Sequence, residues 1–214
     1  MKTNFNLILC DLQGELCEEF KKQFEGCDSV TVHHGDFMQL KFDCIVSAAN
    51  SFGLMDGGVD GAITMYFGNQ LQVRIQDQII RDYYGEQPVG TSFITCGRDM
   101  LNLDGGNQYV AHTPTMRVPK DITNTENVYQ AMKAMLAAVD KHNVDFETGK
   151  LFNGHNRIDT VVCTGLGTFC GKVPYHRAAR EMRLAYHNFI HVPTTIDWDY
   201  ANKRNNDVFL ARVS

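Results

Sequence analysis

The chain has 214 residues, a formal net charge of −5, 43% hydrophobic and 21% charged residues. That length suffices for one globular domain burying roughly 70% of its unfolded surface without a disulfide or metal, and the composition excludes a disordered chain. The acidic balance, with Lys and Arg nowhere concentrated, excludes a protein whose main affinity comes from phosphate-backbone contacts, so nucleic acid is not expected as a main partner. No apolar run reaches the roughly 18–20 residues of a membrane span, and no signal pattern follows Met1-Lys2. Cys10, Cys17, Cys27, Cys44, Cys96, Cys163 and Cys170 form no C-x-x-C pair, so buried free thiols are expected. The expectation is a single cytoplasmic domain over residues 1–214 with no membrane association and no bound metal.

Residues 6–10 read as a buried strand, and residues 15–24, with Leu16, Phe20 and Phe24 four apart, as an amphipathic helix. A second strand is expected over 29–33, closing at Gly35-Asp36, and a third over 43–48, which runs into a glycine-rich segment. Residues 60–84 read as one helix, with Leu71, Ile75 and Ile79 on one face and Gly85 to close it. Strands over 91–96 and 108–112 flank the turn signal of residues 104–107. Thr123-x-x-Glu126 has the form of a capping box ahead of a helix striped by Val128, Met132, Met135, Leu136 and Val139. Residues 145–156 read as a polar loop, 159–163 as a strand entering a second glycine-rich loop, and Pro174 suits the first turn of a last helix carrying Ala178, Met182, Ala185 and Phe189. After Pro193 no periodicity assigns an element.

Strands alternating with helices imply an α/β layered domain on a largely parallel sheet. Ligands of such sheets bind outside the carboxyl ends of the strands. Two loops hold that position, residues 48–61 and 164–171. Gly57, Gly58 and Gly61 allow close backbone approach, and N–H groups at a helix start face an anion. Neither loop is a Walker A, and Cys170 stands at the third glycine position of G-x-G-x-x-G after Gly165-x-Gly167. Tight turns and a phosphate cradle both fit these glycines. His33 and His34, adjacent in a strand, point to opposite faces, which favours a structural role over metal binding. Cys163 or Cys170 with His176 lacks a third orienting group at readable spacing, so no thiol nucleophile is assigned.

The run Asp43-Cys-Ile-Val-Ser-Ala-Ala-Asn50-Ser51, followed by Gly57-Gly-Val-Asp-Gly-Ala-Ile63, resembles the signature of macro domains, D-x-I-V-N-A-A-N-S and then G-G-G-V-D-G-A-I. Gly35-Asp36 is similar to that family's G-D-I element, Val110-Ala-His112-Thr-Pro114 to its later strand, and Thr164-Gly165 with the following glycines to its second ligand loop. The resemblance spans about residues 5–190, leaving 191–214 as a C-terminal tail. It implies a three-layer α/β/α sandwich with a mixed, largely parallel central sheet. It also implies ADP-ribose or an ADP-ribosylated substrate as ligand, with no cofactor.

Residue by residue, the resemblance implies that Asp36 accepts a hydrogen bond from the adenine amino group and that Phe37 lies beside the base. Asn50, next to Ala49, would contact the distal ribose, and Asp60 would place and activate a water. Gly57, Gly58 and Val59 would offer N–H groups to one phosphate. Thr164, Gly165, Leu166, Gly167, Thr168, Phe169 and Gly171 would cover the diphosphate, with Phe169 near the distal ribose. Three departures stand out: Ser47 replaces the first asparagine of N-A-A-N, Met55 and Asp56 replace early glycines, and the second loop differs from the family's S-T-G-I-Y-G-Y-P type.

The implied activity is hydrolysis that removes ADP-ribose from mono-ADP-ribosylated protein carboxylates or acts on O-acetyl-ADP-ribose. The alternatives are a non-catalytic ADP-ribose binding module and an ADP-ribose 1″-phosphate phosphatase. Read without the resemblance, Asp60 fits a helix N-cap, Asn50 a left-handed turn residue, Asp36 a turn carboxylate and Phe169 a core residue. The oligomeric state is open.

Overall fold

The computed structural model describes residues 3–98, 108–151 and 154–213. In chain order its elements are β1 (Asn6–Asp11), α1 (Gly14–Gln23), β2 (Val30–His34), β3 (Cys44–Asn50), α2 (Gly58–Phe67), α3 (Gln70–Tyr83), β4 (Phe93–Cys96), β5 (Tyr109–Met116), α4 (Asn127–Glu147), β6 (Thr160–Cys163), α5 (Tyr175–Ile190) and α6 (Trp198–Val213). The six strands form one sheet in the order β2-β1-β6-β3-β5-β4, parallel except for β4, which runs antiparallel to β5.

The sheet is covered on both faces, which is why its inner strands are largely apolar and the polar residues inside β3 and β5, Ser47, His112, Thr113 and Thr115, are buried. Successive residues point to opposite faces. Leu7, Leu9, Cys44, Val46, Tyr109, Ala111, Val161 and Cys163 therefore join a core with Leu16 and Phe20 of α1, Met132 and Leu136 of α4, and Met182 of α5. Ile45, Val110 and Val162 join a second core with Ile63 and Phe67 of α2 and Leu71, Ile75 and Ile79 of α3. The result is a three-layer α/β/α sandwich on a mixed, largely parallel sheet. Its parallel strands present their carboxyl ends along one edge, where the two glycine-rich loops emerge.

Several boundaries differ from the sequence expectation. The single helix of residues 60–84 is two helices, because the chain turns out at Gly68 (φ 93°). The Thr123–Glu126 capping box does not form: the Thr123 hydroxyl donates to Asp121 Oδ1 at 2.7 Å, and the helix begins only after Glu126. The polar loop of 145–156 loses its first residues to α4, which continues to Glu147. The tail contains α6, which buries only Val208 and Ala211 against the body. The turn of residues 104–107 lies outside the described residues. All seven cysteines are free thiols, but not all are buried: Cys27 and Cys96 are half-buried, and Cys170, on the second loop, is exposed. No helix among the described residues is long and apolar enough to cross a membrane.

Candidate functional site

The carboxyl ends of β1, β3 and β6 and the loops that follow them enclose a cleft of about 530 Å³, a volume suited to a small organic ligand. Every anticipated site residue except Leu166 lines it. Leu166 is fully buried in the core beneath the second loop, packed with α4 and α5, so its side chain anchors the loop from below.

The first loop is shaped by Asn50, the last residue of β3. Its Oδ1 accepts the N–H groups of Phe52 (3.1 Å) and Leu54 (3.3 Å), and its Nδ2 donates to the Leu54 carbonyl (2.7 Å). Asn50 thus organises a turn, though not from a left-handed conformation. One amide hydrogen of Asn50 remains for a ligand, since the amide carries two. Met55 N–H donates to Gln72 Oε1 of α3 (2.8 Å), which ties the far end of the loop down.

Helix α2 then starts with Gly57 as its N-cap residue and no side-chain cap. The N–H groups of Gly58, Val59 and Asp60 are the orphan donors of a helix start, and they open on the cleft with the positive end of the helix dipole. Asp60 is therefore not the N-cap. Its side chain, 7% exposed, reaches back to β3, where Ser47 Oγ donates to its Oδ1 at 2.7 Å. Burial pushes the Asp60 carboxyl up to about 6; the Ser47 hydrogen bond pulls it down, and the nearby charge of Asp56 pushes it further up.

The second loop is held on three sides. Gly165 N–H donates to Asp11 Oδ2 (3.1 Å), so that N–H is not available to a ligand. A Cβ at Gly165 would collide with Leu16 and Thr168, and Gly167 takes φ 71° against Ile122 and Val128. The carbonyls of Gly167, Phe169 and Gly171 accept from Val173 (3.0 Å), Lys172 (3.1 Å) and Ile122 (3.0 Å). Among the described residues the N–H groups of Gly167, Phe169, Cys170 and Gly171 have no protein acceptor. Phe169 is not core: its ring is 80% exposed and stands opposite Gly58, where an added Cβ would lie 3.9 Å from it. The two loops thus face each other across the cleft with unpaired donors on both sides.

At the other end Asp36 caps a short 3-10 turn, Phe37–Gln39, by accepting Met38 N–H at 2.9 Å, which leaves its second oxygen uncommitted there. Phe37 is buried against Phe42 and Tyr66, with ring centroids 6.3 and 6.2 Å away. Four carboxylates line the cleft, Asp11, Asp36, Asp56 and Asp60, and among its described lining residues there is no Lys, Arg or His. An anion here would meet backbone N–H groups and neutral side-chain donors such as the remaining Asn50 amide hydrogen, rather than a cation. Among the described residues no three His, Cys, Asp or Glu side chains gather as a metal site.

Sequence reading missed two residues. Asp11 clamps both its own turn, through Gln13 N–H (3.0 Å), and the second loop; its position at the carboxyl end of β1 was the available signal. Ser47 was visible only as a departure, and its partner could not be read because Asp60 lies on another element.

A family model, Macro domain, matches residues 46–182. This chain belongs to the macro domain family. An uncharacterised protein of Aquifex aeolicus is 31% identical over 153 residues, covering 72% of this chain and 78% of that one. An O-acetyl-ADP-ribose deacetylase of Citrobacter koseri is 44% identical over 66 residues, 31% of this chain and 36% of that one. Among solved structures, a macrodomain mutant of Oceanobacillus iheyensis with ADPR superposes with a TM-score of 0.56 at 18% identity, covering 98% of this chain and 97% of that one. That likeness establishes the shared fold.

Proposed function

We propose that the cleft binds ADP-ribose and that the protein hydrolyses ester conjugates of it, mono-ADP-ribosylated protein carboxylates or O-acetyl-ADP-ribose. The observation that carries this reading is the buried Asp60 carboxylate at the open N-terminus of α2, between two loops whose free N–H groups face each other. The diphosphate lies between those donors, the adenine takes the Asp36–Phe37 end, and the distal ribose comes to Asn50 and Asp60. A carboxyl raised to about 6 is matched to proton transfer near neutral pH. Water attacks the anomeric carbon as its proton passes to Asp60. The C–O bond breaks with its electron pair on the acceptor carboxylate, and Asp60 then releases the proton. For O-acetyl-ADP-ribose the same base takes a proton as water adds to the acetyl carbonyl carbon; the acyl C–O bond then breaks, acetate leaves, and the ribose oxygen receives the proton.

The test is release of ADP-ribose from a glutamate-linked peptide, and of acetate from O-acetyl-ADP-ribose, by wild type and by Asp60→Asn. Turnover lost at least about 100-fold in the variant, with ADP-ribose still bound, supports the assignment; undiminished turnover removes Asp60 from the reaction. One observation favours a second reading, a non-catalytic ADP-ribose reader: most hydrogen-bonding capacity of Asn50 is spent on the first loop. A wild type that binds ADP-ribose and turns over neither substrate establishes the reader.

A further inference from the structure

Ser47 stands where the macro domain signature carries asparagine, and its side chain is fully buried. Strand β3 aims it at the face covered by α2, and its hydroxyl meets Asp60 Oδ1 at 2.7 Å. A hydroxyl has one hydrogen to donate, and here it goes to the carboxylate. The other carboxylate oxygen has no protein donor among the described residues.

We propose that Ser47 is a positioning residue for Asp60: its hydroxyl engages Oδ1, leaves Oδ2 for the attacking water, and sustains the ionised carboxylate inside an apolar surround. The inference rests on the hydrolytic reading above. The surroundings of Asp60 make the hydroxyl matter. From the loop ahead of α2 the facing charge is Asp56, a carboxylate that opposes ionisation. From α3, the other helix packed against α2, the side chains in the shared core are the apolar Leu71, Ile75 and Ile79. From β3 it is Ser47. Among the described residues no cation acts on Asp60, and Ser47 is the side chain that favours its charged form. Burial raises the carboxyl most, and these two neighbours of opposite effect adjust when Asp60 can accept a proton.

The experiment is a pH titration of the Asp60 carboxyl carbon by NMR in wild type, Ser47→Ala, Ser47→Thr and Asp56→Asn, alongside pH profiles of turnover. Loss of a hydrogen bond to a buried charge should raise the Asp60 midpoint by about one to two pH units in Ser47→Ala and move the acid limb of turnover with it. Ser47→Thr, which keeps the hydroxyl, should restore the midpoint, and Asp56→Asn should lower it. Opposite shifts from the two neighbours are not what general damage to the site produces. A midpoint unmoved in Ser47→Ala, with hydrolysis intact, overturns the Ser47 assignment alone. Midpoints that shift as stated in a protein that hydrolyses nothing overturn the hydrolytic reading alone.

Discussion

Replacing Asp60 with asparagine should stabilise the protein at neutral pH while removing its hydrolytic activity. Asp60 is buried, and its carboxyl is raised from the ordinary 3.8 to about 6, chiefly by burial. At about 1.4 kcal/mol for each tenfold change in proton affinity, that rise corresponds to roughly 3 kcal/mol of folding free energy lost when the carboxyl ionises. The dipole of α2 favours the charge and trims the figure, so a gain of about 1–3 kcal/mol is expected for Asp60→Asn at pH 7.5. Asparagine keeps the shape, and its Oδ1 still accepts from Ser47. The pH dependence has a definite sign. A folded-state value above the unfolded one favours folding below pH 3.8, and that contribution is lost as pH rises to about 6. Variant and wild type should therefore converge as pH falls from 6 to 3.8. Urea unfolding of both proteins at pH 7.5, 5.5 and 4 reads the difference directly. No gain at pH 7.5, or a gain that persists undiminished at pH 4, would mean that ionised Asp60 does not cost the fold stability.

Other outcomes follow from the loops and the buried groups. Gly165→Ala places a methyl against Leu16 and Thr168 and strains the Asp11 clamp; ADP-ribose affinity by calorimetry should fall about tenfold or more while circular dichroism keeps the native secondary structure. Leu166→Ala empties a fully buried position beneath the same loop and should cost about 2–5 kcal/mol in urea unfolding, with weaker ligand binding as a secondary effect. His112 donates its Nδ1 proton to Gln87 Oε1 at 2.6 Å, because the Gln87 amide nitrogen is turned to Thr91 and the His112 carbonyl. Burial drives its value from 6.5 down to about 3, so the native protein holds it neutral. Its contribution to stability is complete above pH 6.5 and falls away toward pH 3 at up to about 1.4 kcal/mol per pH unit. His112→Asn should flatten that limb relative to wild type; parallel curves would contradict it.

Most of the fold was legible because the core strands are short apolar runs separated by helical periods, and both patterns survive in the three layers. The failures have local causes. Apolar spacing continues through Gly68, so the break between α2 and α3 shows only in its φ of 93°. Thr123 has a nearer partner in Asp121 than the helix start it was expected to cap. The last helix was invisible because it buries just Val208 and Ala211, too few positions to set a period. Within the site, positions were legible and directions were not. The motif located both loops, but it could not show that Leu166 turns into the core, that Gly165 spends its N–H on Asp11, or that Asn50 serves its own loop. Those facts depend on which neighbour another element brings within reach.

Whether the cleft is an ADP-ribose site is decided by isothermal titration calorimetry with ADP-ribose, with AMP as the comparison ligand and Asp36→Ala as the variant. Micromolar binding of ADP-ribose is expected, with weaker binding of AMP because the second phosphate and distal ribose are missing, and a further loss in Asp36→Ala. No heat from ADP-ribose at high protein concentration, or equal affinity for ADP-ribose and AMP, would contradict it.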